Sequence, residues 1–133
     1  MIVKVKITKE KDLFFKKEDN LEINEYLFKL IDIYSAVYMH SSKFLTKSQK
    51  VFYIASIILE QKKISFKSKE ALEFFNKYLP LKNKSDISVY LSRIEKKGWY
   101  QKIGNDHLLP EVFKDLKKVT FYVNLNNDTE ELN

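Results

Sequence analysis

Asn83–Gly104, NKSDISVYLSRIEKKGWYQKIG, is the stretch whose reading decides the fold. Ser85 is a good helix cap and Asp86 suits the positive end of the helix dipole. Ile87, Tyr90, Leu91 and Ile94 recur three and four apart, which makes one buried stripe on a helix over 85–97. Gly98 stands where the residue after a helix adopts a left-handed backbone. Beyond it, two short apolar stretches, Trp99–Ile103 and His107–Leu109, flank Gly104, Asn105 and Asp106, which is the punctuation of a hairpin.

Upstream, Ser68 caps a helix over 69–78 with Ala71, Leu72, Phe75 and Tyr78 turned inward, and Pro80 stops it because proline cannot extend the hydrogen-bond ladder. LPLKNK is the turn between the two helices. Earlier still, Thr46–Gln49, TKSQ, fits a capping box. The helix that follows, VFYIASIILE, is apolar almost all round, with polar groups mainly at Lys50, Ser56 and Glu60, so the core should be built on it. Ile64 and Phe66 are expected to form a brief extended segment.

The ends are simpler. Residues 2–7 alternate Val3, Val5 and Ile7 with Lys4 and Lys6, a short strand. Lys9–Asn20 is charge-rich, with Leu13, Phe14 and Phe15 as its apolar anchor, and reads as a loop or a single turn. Asn20 can cap a helix over 20–39 with Ile23, Leu27, Leu30, Ile31, Tyr34 and Tyr38 on its stripe. Phe28, Ile33 and Met39 fall off that stripe, so this helix is to be covered on two sides, by its own domain or by a second copy in a homodimer. His40–Leu45 is a connection. Pro110–Lys118 is expected to be a short helix with Val112, Phe113 and Leu116 on its inner face, and VTFYVNL, 119–125, a strand whose natural partner is the one at the N-terminus. The acidic tail, 126–133, is expected to fray.

With 133 residues, of which 44% are hydrophobic, the chain suits one domain with a real core. Val51–Leu59, its longest near-apolar run, is far short of the ~20 residues a bilayer requires, and MIVKVKITKEK holds no apolar stretch of signal-peptide length. A soluble, cytoplasmic protein with no membrane partner is expected. The chain has no cysteine, which removes disulfides, thiolate catalysis and cysteine-based zinc sites. His40 and His107 lie in different segments and nominate neither a metal site nor a catalytic triad. The two glycines, Gly98 and Gly104, make no phosphate-binding loop. No enzyme and no cofactor are expected.

The net charge of +6 is unevenly placed. Basic and acidic residues number 7 and 7 over 1–42, 14 and 5 over 43–102, and 3 and 6 over 103–133. A compositional drift would spread lysine evenly, whereas a phosphate footprint concentrates it.

The order helix, helix, turn, helix, hairpin from Thr46 to Leu109 resembles the winged helix-turn-helix DNA-binding superfamily. The closest local match is Ser85-x-Ile87-Ser88-x-x-Leu91-x-x-Ile94-x-x-x-Gly98-Trp99-Tyr100. The resemblance implies an α+β, mainly helical fold: a winged-helix core over 46–109, an added N-terminal strand and helix over 1–45, and a C-terminal helix and strand over 110–125. Ile64–Phe66 would take the place of that family's first strand. The turn after Tyr78 is longer than the tight linkage of the family and lacks glycine. The resemblance further implies that Asn83, Lys84, Ser85, Ser88, Val89, Ser92, Arg93 and Lys96, on the exposed side of the helix or at its entry, meet the major groove of duplex DNA. Lys82, Lys84, Lys97 and Lys102 would hold phosphates, and Gln101 or Asn105 would reach sugar or minor groove. Trp99 and Tyr100 are read as packing beneath the helix rather than stacking on bases. With hydroxyls, one arginine, and carboxylates at Asp86 and Glu95 on this helix, generic basic binding is expected over strong sequence readout. Such a protein would act in transcription regulation, replication or packaging. The alternative is a non-enzymatic adaptor or structural component that uses the same fold for protein contact. The lysine-rich, nearly arginine-free composition is also common among phage-encoded proteins.

Overall fold

The computed structural model describes residues 2–8, 21–116 and 118–124. The chain runs β1 (Ile2–Thr8), α1 (Leu21–Tyr38), α2 (Lys47–Gln61), α3 (Lys69–Asn76), α4 (Lys84–Lys96), β2 (Gln101–Ile103), β3 (Asp106–Leu108) and β4 (Lys118–Asn124), with single 3₁₀ turns at Ser41–Lys43 and Glu111–Phe113. It is an α+β protein, mainly helical, with two separate two-stranded antiparallel sheets, β1–β4 and β2–β3. The expectations for Lys9–Asn20, including the Asn20 cap, and for 126–133 lie outside the described residues.

α2 is the centre. Thr46 Oγ1 accepts from the Gln49 amide at 3.3 Å, and Gln49 Oε1 accepts from the Thr46 amide at 3.0 Å, which closes the expected capping box. Every residue from Phe52 to Leu59 is buried. Phe52 lies between two parallel rings, Phe75 of α3 at 4.2 Å and Tyr90 of α4 at 4.8 Å. One aromatic side chain thus sets the spacing of three helices.

The opposite side of α2 is held by a ring cluster. Tyr34 of α1 meets Trp99 at 5.0 Å and Phe113 at 5.1 Å, while Tyr53 of α2 meets the same two rings edge-on at 5.2 and 5.6 Å. Phe28, Ile33 and Met39, the residues off the α1 stripe, are half-buried against the core of their own chain. Tyr26 of α1 donates to the Leu116 carbonyl at 2.7 Å and fastens the segment that leads into β4. β1 and β4 pair as expected, in the register Val5↔Phe121 and Ile7↔Val119, and Val119 and Phe121 are buried.

Four local expectations are corrected. Ile64 and Phe66 form no strand. α2 ends in a Schellman motif, with Lys63 left-handed at φ 58°, its amide bonded to the Glu60 carbonyl at 3.0 Å, and Ile64 N bonded to the Leu59 carbonyl at 3.0 Å. A second turn, closed by Ser68 N to the Ser65 carbonyl at 3.1 Å, then drops Phe66 into the core, leaving no extended backbone to pair. α3 stops at Asn76 rather than Tyr78: the Lys77 and Tyr78 amides bond back three residues, to the Phe74 carbonyl at 3.2 Å and the Phe75 carbonyl at 3.0 Å, tightening the last turn ahead of Pro80, and Leu79 and Leu81 are buried beyond it. The described residues of Pro110–Lys118 hold a 3₁₀ turn, Glu111–Phe113, in place of the expected helix. The hairpin strands are shorter than the apolar stretches suggested, because Trp99, Tyr100 and Leu109 are core residues.

Candidate nucleic-acid interface

α4 is capped two residues earlier than the serine signal indicates. Asn83, in extended backbone, is the cap: its side-chain oxygen accepts from the Ser85 amide at 3.0 Å and also from the Ser85 hydroxyl. Asp86 completes a capping box, with Oδ2 accepting from the Lys82 amide at 2.6 Å and the Asn83 amide at 3.3 Å. Ser85 therefore sits inside the helix, and this corrects its expected role as cap. Asn won because the chain enters the helix fully extended there, which aims its longer side chain at the first free amides.

The helix closes on Gly98 as expected. Gly98 is left-handed at φ 87°, its amide bonds to the Glu95 carbonyl at 2.9 Å, and Trp99 N bonds to the Ile94 carbonyl at 3.4 Å. Ile87, Leu91 and Ile94 are buried, so the faces of the other residues follow. Lys82, Lys84, Ser85, Ser88, Val89, Arg93 and Lys96 are exposed, and Ser92 is half-exposed. Gln101, Lys102 and Asn105 are exposed on the hairpin. No side chain among Lys82, Lys84, Arg93, Lys96 and Lys102 makes an ion pair or hydrogen bond with another described residue.

Lys97 differs from those five. It is half-buried, and its ammonium donates to the Phe44 carbonyl at 3.0 Å and to Gln49 Oε1 at 2.6 Å, tying the end of α4 to the start of α2. The two carboxylates of this helix have different neighbours. Asp86 is held in the cap, and Glu95 Oε1 lies 4.0 Å from His107 Nε2.

The hairpin turns on Gly104, left-handed at φ 60°, in the pairing Gln101↔Leu108, Lys102↔His107 and Ile103↔Asp106. Its base is anchored by buried polar contacts. Tyr53 Oη donates to the Trp99 carbonyl at 2.9 Å, and Trp99 Nε1 donates to the Lys43 carbonyl at 2.8 Å. Ser56 Oγ gives its single proton to the Tyr53 carbonyl at 2.7 Å, so the 2.6 Å contact with Tyr100 is a bond that the phenol donates. Burial pushes the Tyr100 and Tyr53 hydroxyls far above the usual phenol range, which keeps both as donors. Lys67 Nζ reaches the Asn105 carbonyl at 2.8 Å and holds the hairpin tip against the α2–α3 loop. Sequence spacing carries no signal for that contact.

His107 points inward from β3, its ring edge-on to Tyr100 at 5.9 Å, with both ring nitrogens buried and without a hydrogen-bond partner among the described residues. Burial lowers its pKa, Glu95 opposes that shift, Lys102 and Lys67 add to it, and Asp106 opposes it. Thr46, Ser48, Gln49, Lys82, Asp86, Val89 and Arg93 border an open groove of about 530 Å³ between the start of α2 and α4. Thr46, Ser48 and Gln49 escaped sequence reasoning as neighbours of this face, because their signal was absorbed by helix capping.

No group of three or more His, Asp or Glu side chains able to hold a metal occurs among the described residues. No helix among them is long and apolar enough to cross a membrane. Comparisons with models of known protein families, with curated proteins and with solved structures found no match.

Proposed function

We propose that α2, α3, α4 and the β2–β3 hairpin act as a winged helix-turn-helix that binds duplex DNA, with α4 in the major groove and the hairpin as the wing. The observation that carries this reading is the outer surface of α4. Its exposed cations, Lys84, Arg93 and Lys96, with Lys82 just before the helix, have no ion-pair or hydrogen-bond partner among the described residues, and they outnumber its two acidic residues, of which Asp86 is held in the cap. Such cations are suited to displacing counterions from phosphates, and the short Ser85, Ser88 and Ser92 side chains allow close approach of the helix. Lys102 on the hairpin extends the same charge. Control of transcription, replication or packaging are the processes such a module serves.

A mobility-shift titration of a mixed-sequence duplex at low and high salt tests this. Binding is expected at low salt and to fall steeply with salt, with Arg93→Ala and Lys84→Glu each weakening it and lowering the salt slope by about 0.9 per lost phosphate contact. No binding at low salt, or binding indifferent to both substitutions, would sink the proposal. The second reading, an adaptor that binds protein through this fold, is favoured by Ile103 and Leu108, which are 54% and 36% exposed on the hairpin. Retained partner capture with no DNA affinity would select it.

A further inference from the structure

Val89 is the exposed large apolar residue of α4, 44% accessible to solvent. At 3.6 residues per turn it shares a line with Ser85, Ser92 and Lys96, directly opposite the buried stripe of Ile87, Leu91 and Ile94. Its nearest neighbours on that line, Ser85 and Ser92, are short, so its two methyl groups stand forward at the centre of the face. Arg93 borders the same groove as Val89 on one flank.

The chemistry that would complement this arrangement is specific. A carboxylate on the line would accept from a cytosine amino group, but Asp86 is bonded to the Lys82 and Asn83 amides and Glu95 faces His107. The serine hydroxyls both donate and accept, so they discriminate weakly among base edges. An apolar group at the centre of the face finds one apolar feature in the major groove of unmodified DNA, the C5-methyl of thymine. We infer that Val89 reads thymine methyl groups, so that α4 favours A·T-rich duplex through a methyl contact added to its phosphate binding. The inference rests on the duplex-binding reading above.

The full chain is titrated against four alternating duplex polymers: poly(dA-dT), poly(dA-dU), poly(dG-dC) and its 5-methylcytosine form. The members of each pair differ by the C5-methyl group. Loss of one buried methyl corresponds to about a fourfold change in affinity. The wild-type chain is expected to bind poly(dA-dU) more weakly than poly(dA-dT) by about that factor, and to gain on methylation of poly(dG-dC). Val89→Ala, which raises helix propensity and so leaves α4 folded, is expected to lose both differences while keeping its salt dependence. Val89→Ile is expected to restore them. Equal wild-type binding across each pair, or discrimination that survives in Val89→Ala, overturns the inference and leaves duplex binding standing. Absence of binding to all four polymers overturns the duplex reading and the inference together.

Discussion

Phe52 and Tyr90 stack face to face, with ring centroids 4.8 Å apart and planes 7° from parallel. Because Phe75 covers the other face of Phe52 at 4.2 Å, the outer surface of α4 is held at a distance from α2 that one side chain defines. Tyr90 lies between the buried stripe and the exposed line of α4, so its ring position governs how the helix is rotated.

Phe52→Ala should therefore destabilise the protein by about 3–5 kcal/mol, through lost transfer energy and the cavity left between three helices. That is a large share of the roughly 5–15 kcal/mol that holds a domain together. Urea denaturation followed by far-UV circular dichroism measures it. A loss below about 1 kcal/mol would mean that α3 and α4 do not depend on this stack.

The Ser56–Tyr100 bond predicts a coupled pair. Ser56→Ala leaves the Tyr100 hydroxyl buried without an acceptor, costing about 1–3 kcal/mol, while the Tyr53 carbonyl keeps its place in the helical ladder. Tyr100→Phe removes the donor along with its need for an acceptor, and the double variant should be less destabilised than the two single losses added. Strict additivity in a double-mutant cycle would contradict the bond.

Neighbouring lysines should separate stability from binding. Lys97→Met removes the ammonium held by the Phe44 carbonyl and Gln49 Oε1, and should lower stability with little change in the salt slope of DNA binding. Lys96→Gln should leave stability within about 0.5 kcal/mol while reducing the salt slope by about 0.9. Reversed behaviour of the two variants would place the phosphate contact on Lys97.

His107 makes stability fall with acid. Its folded pKa lies below the ordinary value of 6.5, so as pH drops through 6.5 the unfolded chain takes up a proton that the folded chain refuses. Above that pH the penalty is absent; below it, the penalty grows until the folded value is reached. His107→Gln should flatten the dependence of urea midpoint on pH just below 6.5, before the carboxylates begin to titrate. An unchanged slope would show that His107 does not cause it.

The recognisable parts of the sequence were those whose physics is local. TKSQ before an apolar run encodes its own capping box, Ser68 caps α3, and a glycine at 98 matches the left-handed close of α4. Alternation in β1 and β4 set two strands whose pairing followed from their being the clearest strands at either end. Local rules ran out where two signals competed or where contact was remote. Asn83 and Ser85 are both good caps, and the choice fell to the direction from which the chain arrives. Ile64 and Phe66 alternate like a strand, yet Lys63 turned left-handed and Phe66 was drawn into the core.

For the candidate site, the division is sharper. Helical periodicity was enough to assign Ser85, Val89, Ser92 and Lys96 to the side away from the core, because 3.6 residues per turn fixes which positions oppose a buried stripe. Nothing in the order of residues says that the Lys97 ammonium is held by the Phe44 carbonyl and Gln49, or that Glu95 lies beside His107. Those outcomes depend on Gln49, Phe44 and His107, which lie far from α4 along the chain or across the hairpin, and which acquire their meaning when packing of the core brings them within hydrogen-bond or ion-pair reach.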